Sequence, residues 1–475
     1  MTTDVKQQRP DYLAQCKTEE TNRAVILGER MVKAGGTAYL PPLASMMYET
    51  HCNSDDGSVS YTPTANLTPE GLPKYNKYKS LAFFYGATGY TLEGLKGLVF
   101  AKPAQYELTP NTEYLETNVD GKGTSLREFA RGVFSYTSYS PLTCYLADFP
   151  ATEGRVNKAT SERMGLRPRI LAYRCSDIIN RYYETINNQS KLSLLVLREK
   201  ASIRDGFKVE EKERYRVYEV IDSVCHTSLY DENSDLIEEA RPIMFNGKST
   251  DKIPAVLIEN EDKTPFDDLV DMNLLHYKIS ADYGGKLHYS SFVIYTETGA
   301  ESGANAIIGN GVKWNNSSSD AKFDVLQPDG NADSHRLALK DTEARLAALG
   351  AEQLRERTGS AESGEAKAID KVAQNSITAD TAITASEAIT KLLNLCDEWQ
   401  GGSGGIEYKL NTDYNPTRLD PQSLTALVSA WQGGAISYET LYENLGEGEI
   451  ANESRTVEEE KTLLASSELG LDGDE

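Results

Sequence analysis

The strongest constraint in this 475-residue chain is a set of three long helical segments, two of which flank a short irregular block. The first begins at Thr264-Pro265, a polar cap with proline at the first helical position, where its missing N–H costs nothing. Leu269, Met272, Leu275, Ile279 and Tyr283 lay an apolar stripe along it at helical spacing. Gly284-Gly285 weakens this helix without ending it. The second runs from Ser334 to Arg357, roughly 36 Å at 1.5 Å per residue. Its apolar contacts are Leu339, Leu346, Leu349 and Leu354; Arg336, Lys340, Arg345, Arg355 and Arg357 alternate with acids. Thr358 to Glu365 (TGSAESGE) breaks it with small polar residues, and a third helix follows from Ala366 to Trp399. The middle of that helix is rich in Ala, Ser and Thr, which predicts close packing with few charges. Residues 290–330, between the first two helices, are strand-like and rich in Gly, Asn and Ser.

Upstream, Leu13, Ala24, Leu27 and Met31 predict a helix over 10–34, stopped by Gly35-Gly36. Tyr39-Leu40-Pro41-Pro42 is extended chain, and the polar, Gly- and Pro-containing residues 53–78 read as a surface loop. Helical character returns from Leu81 to Lys102. Thr124 to Tyr136 is a better helix, with Leu126, Phe129, Ala130 and Val133 on one face behind a Thr-Ser cap. From about residue 170 the period changes to two. Leu192, Leu194 and Val196 mark one strand; Tyr215, Val217 and Glu219 mark another. Ile243 to Phe245, Asn246-Gly247 and Ile253 to Ile258 predict a hairpin with positive φ at its turn, so a strand-rich module spans 170–260. After the third helix, Gly401 to Gly405 reads as a flexible hinge, Ile406 to Leu410 as a strand, and 421–432 and 437–445 as short helices. The acidic end (Glu458, Glu459, Glu460, Asp472, Asp474, Glu475) is expected to fray. The fold class is α+β, in two to four packed regions.

Charge and cysteine usage exclude more than they assign. A net charge of -23 opposes a classical nucleic-acid binder, which neutralises phosphates with Lys and Arg. It fits a soluble chain held apart from its neighbours, or one that must let DNA pass without holding it. No apolar run approaches the ~20 residues of a spanning helix, and the start MTTDVKQQRPDYLAQ has no signal core, which predicts a cytoplasmic site of synthesis. Cys16, Cys52, Cys144, Cys175, Cys225 and Cys396 are scattered without a CxxC pair, so reduced thiols are expected rather than a disulfide framework or a zinc site.

Enzymatic signatures fail on detail. Asn246-Gly247-Lys248-Ser249-Thr250 resembles the end of a phosphate-binding loop, but Pro242 stands where the motif needs glycine and a strand follows where it needs a helix. Asp231, Asn233 and Asp235 open like a calcium loop, but Leu236 and Pro242 replace its glycine and its glutamate. Ser403 between glycines formally matches a nucleophile elbow without the strand-to-helix turn an elbow needs. His51, His226, His276, His288 and His335 lack metal-ligand spacing, and Cys225-His226 has no second ligand pair. No catalytic residue, metal site or cofactor is expected.

The order of segments resembles tailed-bacteriophage portal proteins, the head-to-tail connectors, and specifically a short portal-like phage family. The resemblance rests on Tyr39-Leu40-Pro41-Pro42, GYTLEGLKGLVFAKP (Gly89 to Pro103), GTSLREFA (Gly123 to Ala130) and Ala147-Asp148-Phe149-Pro150. It continues through GLRPRILAYRCSDIINRYYE (Gly165 to Glu184), LLVLREK (Leu194 to Lys200), IPAVLI with TPFDDLVDMNLLHYKISADY, and ALKDTEARLAALGAEQL (Ala338 to Leu354). It ends with NTDYN (Asn411 to Asn415) and GGAISYETLYENL (Gly433 to Leu445), covering about residues 10–460.

The resemblance implies a ring, typically of twelve copies, at the unique capsid vertex of a virion assembled in the host cytoplasm. Its parts would be a mixed α/β wing over 1–263 and stem helices at 264–288 and 331–357. A small β-rich clip would occupy 289–330 and a tunnel loop 358–365; a wing helix and strand would follow at 366–415, then a short helical crown with an acidic tail at 416–475. The channel residues would be Arg355, Arg357, Thr358, Gly359, Ser360, Ala361, Glu362, Ser363, Gly364 and Lys367, and the docking residues Val312, Lys313, Trp314, Asn315 and Asn316. The partners implied are double-stranded DNA, the terminase large subunit, head–tail adaptor or tail proteins, the major capsid protein and scaffold, with no membrane. Two departures stand out: Thr358-Gly359-Ser360-Ala361 is smaller than the family's usual approach to the loop, and the crown is short. The competing expectations are another virion structural protein, such as a head–tail adaptor or minor capsid component, and a hydrolase using scattered carboxylates. If 312–316 is the docking tip, replacing Val312 and Trp314 with alanine weakens capture of a motor or adaptor in a pull-down and leaves the melting temperature unchanged.

Overall fold

The computed structural model describes residues 4–52, 59–149, 160, 164–186, 188–260, 263–291, 294–298, 322–326, 331–351, 364–412, 414, 421–447, 450–451 and 455–468. Two units emerge, Met1–Leu410 and Asn411–Glu475. Helix and strand are mixed throughout the larger one.

The first predicted helix is two, α1 (Tyr12–Leu27) and α2 (Glu29–Gly35), because Gly28 adopts φ 89° between them. Strands β1 (Tyr48–Cys52) and β2 (Val59–Pro63) pair antiparallel, and α3 (Leu72–Leu81) follows, so much of the segment expected as loop is regular. Its polarity misled because Lys74, Asn76, Lys77 and Lys79 surround two tyrosines, Tyr75 and Tyr78, that are buried. Next come α4 (Ala87–Val99), β3 (Gln105–Tyr106) and α5 (Leu126–Tyr139), whose cap Ser125 accepts the Glu128 N–H at 3.2 Å.

Strand β4 (Leu142–Asp148) is buried along nearly its whole length and pairs antiparallel with β5 (Arg169–Arg174). A separate meander follows: β6 (Ile178–Ile186), β7 (Gln189–Asp205), β8 (Lys208–Ile221), β9 (Val224–Asp231) and β10 (Leu236–Pro242), each antiparallel to the last. The Asp231 carboxylate accepts the Asn233 and Asp235 N–H groups at 2.8 Å, so the calcium-like triplet is the turn of a hairpin. β11 (Met244–Phe245) and β12 (Lys248–Ser249) close around Asn246 (φ 45°) and Gly247 (φ 76°). Here the prediction needs correction: the returning arm is 248–249, and the apolar run after Pro254 forms β13 (Ala255–Glu259), which pairs with β4 instead. A two-residue turn fixes the register at Phe245 opposite Lys248, which leaves Ile253 to Ile258 free to complete the buried β13-β4-β5 sheet.

The remaining elements of this unit are α6 (Asp267–Ser290), the antiparallel pair β14 (Ile294–Thr298) and β15 (Lys322–Leu326), α7 (Asp333–Leu346), α8 (Gly364–Trp399) and β16 (Tyr408–Lys409). One apolar cluster joins the helices through Val25, Val32, Tyr75, Tyr78, Val270, Leu274 and Tyr277; another joins the two sheets through Leu142, Leu146, Ile178, Leu195 and Leu197. Between the sheets, the buried Arg181 pairs with Glu259 at 3.0 Å, and Tyr183 donates to the same carboxylate. Trp399 stacks between Phe149 and Phe245 at 5.7 and 4.8 Å, anchoring the end of α8.

The Ser- and Thr-rich face of α8 does more than pack closely. Ser386, Thr390 and Asn394, one turn apart, bond the backbone of the returning strand at Leu410, Tyr408 and Ile406. Asn394 also donates to the Ile406 carbonyl at 2.9 Å, and β16 completes its pairing on β3. The glycine run before it is a built loop rather than a hinge: buried Asp397 accepts from Gly404 N–H and Thr109 Oγ1 at 2.9 and 2.6 Å. A Cβ on Gly402 would lie 1.9 Å from the Asp397 carboxylate, so glycine is required by contact.

The smaller unit carries α9 (Pro421–Gln432), α10 (Tyr438–Glu447) and α11 (Val457–Glu468). The third of these overturns the expected fraying over 457–468. Lys461 pairs with Glu439 and covers the Tyr438 ring at 5.6 Å, and that ammonium holds the Glu439 carboxyl at about 2. Replacing Asn394 with alanine removes both bonds to Ile406 from a half-buried site. It should lower stability by about 1–3 kcal/mol and accelerate hydrogen exchange at the Ile406 amide.

Candidate functional site: the paired long helices

Helices α6 and α7 pack against each other on either side of the β14–β15 pair. His276 Nε2 lies 3.4 Å from Glu343 Oε1. At 1.5 Å per residue, these side chains sit roughly 21 and 15 Å of helix away from the ends that enter the strand pair. Two antiparallel helices bridged by a hairpin give that spacing.

The face that α6 buries is not its apolar stripe. Asn273 is fully buried: its Oδ1 accepts the Thr88 N–H and hydroxyl at 3.1 and 2.9 Å, and its Nδ2 donates to the Tyr85 carbonyl at 2.7 Å. Ser280 donates to the Phe83 carbonyl at 2.7 Å, and Tyr78 donates to Asp282 at 2.6 Å. A Cβ at Gly284 would stand 2.6 Å from the Leu81 carbonyl oxygen, so the Gly284-Gly285 pair admits the end of α3 while the helix continues to Ser290. Of the predicted stripe only Leu269 is buried. Met272, Ile279 and Tyr283 are half-buried, and Leu275 is 41% exposed. Leu287 (39%) and Tyr289 (56%) are uncovered further along, as is Leu337 (54%) on α7.

His276 is enclosed by the Phe83 and Tyr85 rings at 5.7 and 5.2 Å, with no exposed surface. Its Nδ1 has no hydrogen-bond partner. Burial pushes the imidazole below its ordinary 6.5, and the opposing attraction of Glu343 does not offset that.

The regular part of α7 is shorter than the spacing predicted. It ends at Leu346 in a wide turn over Ala347–Ala351, where Gly350 takes φ 137°, a conformation no helix accommodates. Of the candidate channel residues, Gly364 and Lys367 fall in the first turn of α8. Arg355, Arg357, Thr358, Gly359, Ser360, Ala361, Glu362 and Ser363 lie outside the described residues, as do the docking candidates Val312, Lys313, Trp314, Asn315 and Asn316. Sequence reasoning missed Asn273 and His276, because a polar residue among leucines reads as solvent-facing. The available signal was register: 269, 273, 276 and 280 follow one another at helical spacing.

Among the described residues, no group of three or more His, Cys, Asp or Glu side chains could hold a metal ion, and no helix is long and apolar enough to cross a membrane. Residues 265–400, from α6 through α8, match a family described as a domain of unknown function (DUF4055). No curated protein matches the chain. Among solved structures, a chain of the "Virion of native gene transfer agent (GTA) particle" aligns with 11% identity over 78% of this chain and 92% of that one, at a TM-score of 0.37. That likeness is too weak to carry an argument.

Because the folded pKa of His276 is depressed, its contribution to stability is present above pH 6.5 and is lost as the pH falls below it. The melting temperature should therefore fall between pH 7.5 and pH 5.5. His276→Gln should flatten that dependence, whatever it does to absolute stability; an unchanged pH slope would assign the acid sensitivity elsewhere.

Proposed function

We propose that the chain is the portal subunit of a tailed-phage-like virion. It would form a ring whose paired stem helices wall a channel for double-stranded DNA, a structural role rather than an enzymatic one. The observation that carries this reading is the uncovered apolar side of the helix pair. Leu275, Leu287 and Tyr289 on α6 and Leu337 on α7 stay exposed, while α6 buries Asn273, His276 and Ser280 beside Val270, Leu274 and Tyr277. Helices that bury one apolar face within the chain, through Val270, Leu274, Tyr277 and Leu339, and still leave leucines outward on another are suited to pack against further copies of themselves. The segment order described above supports the same reading, as does the connection of two helices through a strand pair.

A net charge of -23 per copy suits a conduit. An acidic wall repels phosphate and lowers friction for a duplex moved by a separate motor. Lys and Arg near the tunnel loop, Arg355, Arg357 and Lys367, would add weak, salt-sensitive phosphate contacts. In this reading the strand pair and the residues between its arms face the terminase large subunit during filling and adaptor or tail proteins afterwards. The wing meets the major capsid protein and scaffold.

Images of the purified protein test this directly: a cone-shaped ring of about twelve subunits with a central hole is expected. A closed assembly without a channel would favour the adaptor or minor capsid reading, and a persistent monomer would refute both. Leu275→Asp with Leu287→Asp should shift assembly toward monomer by at least tenfold, since each half-exposed leucine contributes about 1 kcal/mol of transfer free energy. Removing residues 359–364 should leave rings intact and impair DNA retention.

A further inference from the structure

Two cysteines far apart in sequence meet beneath the first helix. Cys16 on α1 and Cys175, which opens the single turn Cys175–Asp177 between β5 and β6, bring their Sγ atoms to 3.9 Å. Cys175 is fully buried and Cys16 half-buried, so the pair has one protected and one accessible member. We propose that Cys16 and Cys175 form a reversible disulfide site, closed by a low-molecular-weight disulfide such as glutathione disulfide, that ties α1 to the β5–β6 junction.

The surroundings divide the labour between the two thiols. The hydrogen bond with Cys175 stabilises charge on Cys16, and the Arg198 guanidinium adds to it, so the Cys16 thiol lies below its ordinary value. Arg198 is held in place by the Ser176 carbonyl at 2.9 Å and Asp177 at 3.4 Å. Tyr12 is fixed by its bond to the same carbonyl at 2.7 Å. Cys175 is pushed the other way, first by its bond to Cys16, then by burial and by the charge on Cys16. Its backbone N–H is held by Glu19 at 2.9 Å, which ties the turn to α1 before any covalent bond forms.

The chemistry balances without a further reagent. The Cys16 thiolate attacks one sulfur of glutathione disulfide, forming a mixed disulfide and expelling one glutathione thiolate. Neutralising Cys16 in this way removes the charge that held the Cys175 proton. Cys175 then loses that proton to solvent or to the expelled thiolate and attacks Cys16 Sγ, and the second glutathione leaves. Two protein thiols are oxidised and one glutathione disulfide is reduced to two thiols. None of this depends on the portal reading.

The experiment is native incubation of the full chain with glutathione disulfide, then denaturation, alkylation and non-reducing tryptic digestion. The expected product links the peptide of residues 7–17 to that of residues 175–181, leaves four of the six cysteines alkylated, and disappears with dithiothreitol. Cys175→Ser should stop at a single glutathione adduct on Cys16, and Cys16→Ser should leave Cys175 unmodified. Serine is close in size to cysteine, and the melting temperature of each variant confirms that it is folded. Full alkylation of Cys16 and Cys175 in the wild-type chain, linkage of either to another cysteine, or an adduct on Cys175 in the Cys16→Ser protein would overturn the proposal.

Discussion

The first long helix is fixed by hydrogen bonds that its neighbours' backbones supply, and the rest of the structure is arranged around that constraint. Asn273 spends three of its bonding positions on Thr88 and Tyr85, Ser280 bonds Phe83, and Gly284 lets the carbonyl of Leu81 approach. Removing any one donor would leave a buried polar group without a partner, at a cost of about 1–3 kcal/mol. The segment from Ala82 to Thr88 is therefore a bracket for α6, and α3 and α4 are placed by it. With Asn273 and Ser280 held by that bracket and Val270, Leu274 and Tyr277 in the helix cluster, Leu275, Leu287 and Tyr289 are left facing outward.

The same logic recurs at α8. A helix whose middle reads as Ala, Ser and Thr bonds an edge strand through three side chains at one-turn spacing, with Asp397 and the glycine loop closing the end. In both places polar side chains specify where backbone goes, and apolar surface supplies the bulk of the burial. Two acids organise the larger unit, the buried Asp397 and the half-buried Glu259; each serves several donors at once, and Glu259 pairs with the buried Arg181.

Much of this was legible in the residues, and the failures have physical causes. The alternation in β7 and β8, the Ser125 cap, the Asn246-Gly247 turn and the third long helix follow from local chemistry, and each is found. Strand β4 was invisible because both of its faces are buried, which erases the alternation that marks a half-exposed strand. α3 was hidden by its lysines. Of the stripe on α6 only Leu269 is buried, since periodicity identifies a face and says nothing of what lies against it. The helix at 457–468 was missed because its acids suggested a frayed end, whereas Arg455 pairs with Glu460 and Lys461 reaches Glu439 on α10. The channel and docking residues were chosen through the resemblance alone; except for Gly364 and Lys367, they fall outside the described residues.

The account turns on whether outward leucines on the helix pair meet copies of the same chain. Hydroxyl-radical footprinting of Leu275, Leu287, Tyr289 and Leu337, in the assembled protein and in the dissociated subunit, measures this most directly. The account predicts strong protection of these four side chains on assembly, while exposed residues of the β7–β8 hairpin such as Phe207 keep their reactivity. Equal labelling of the four in both states would contradict it.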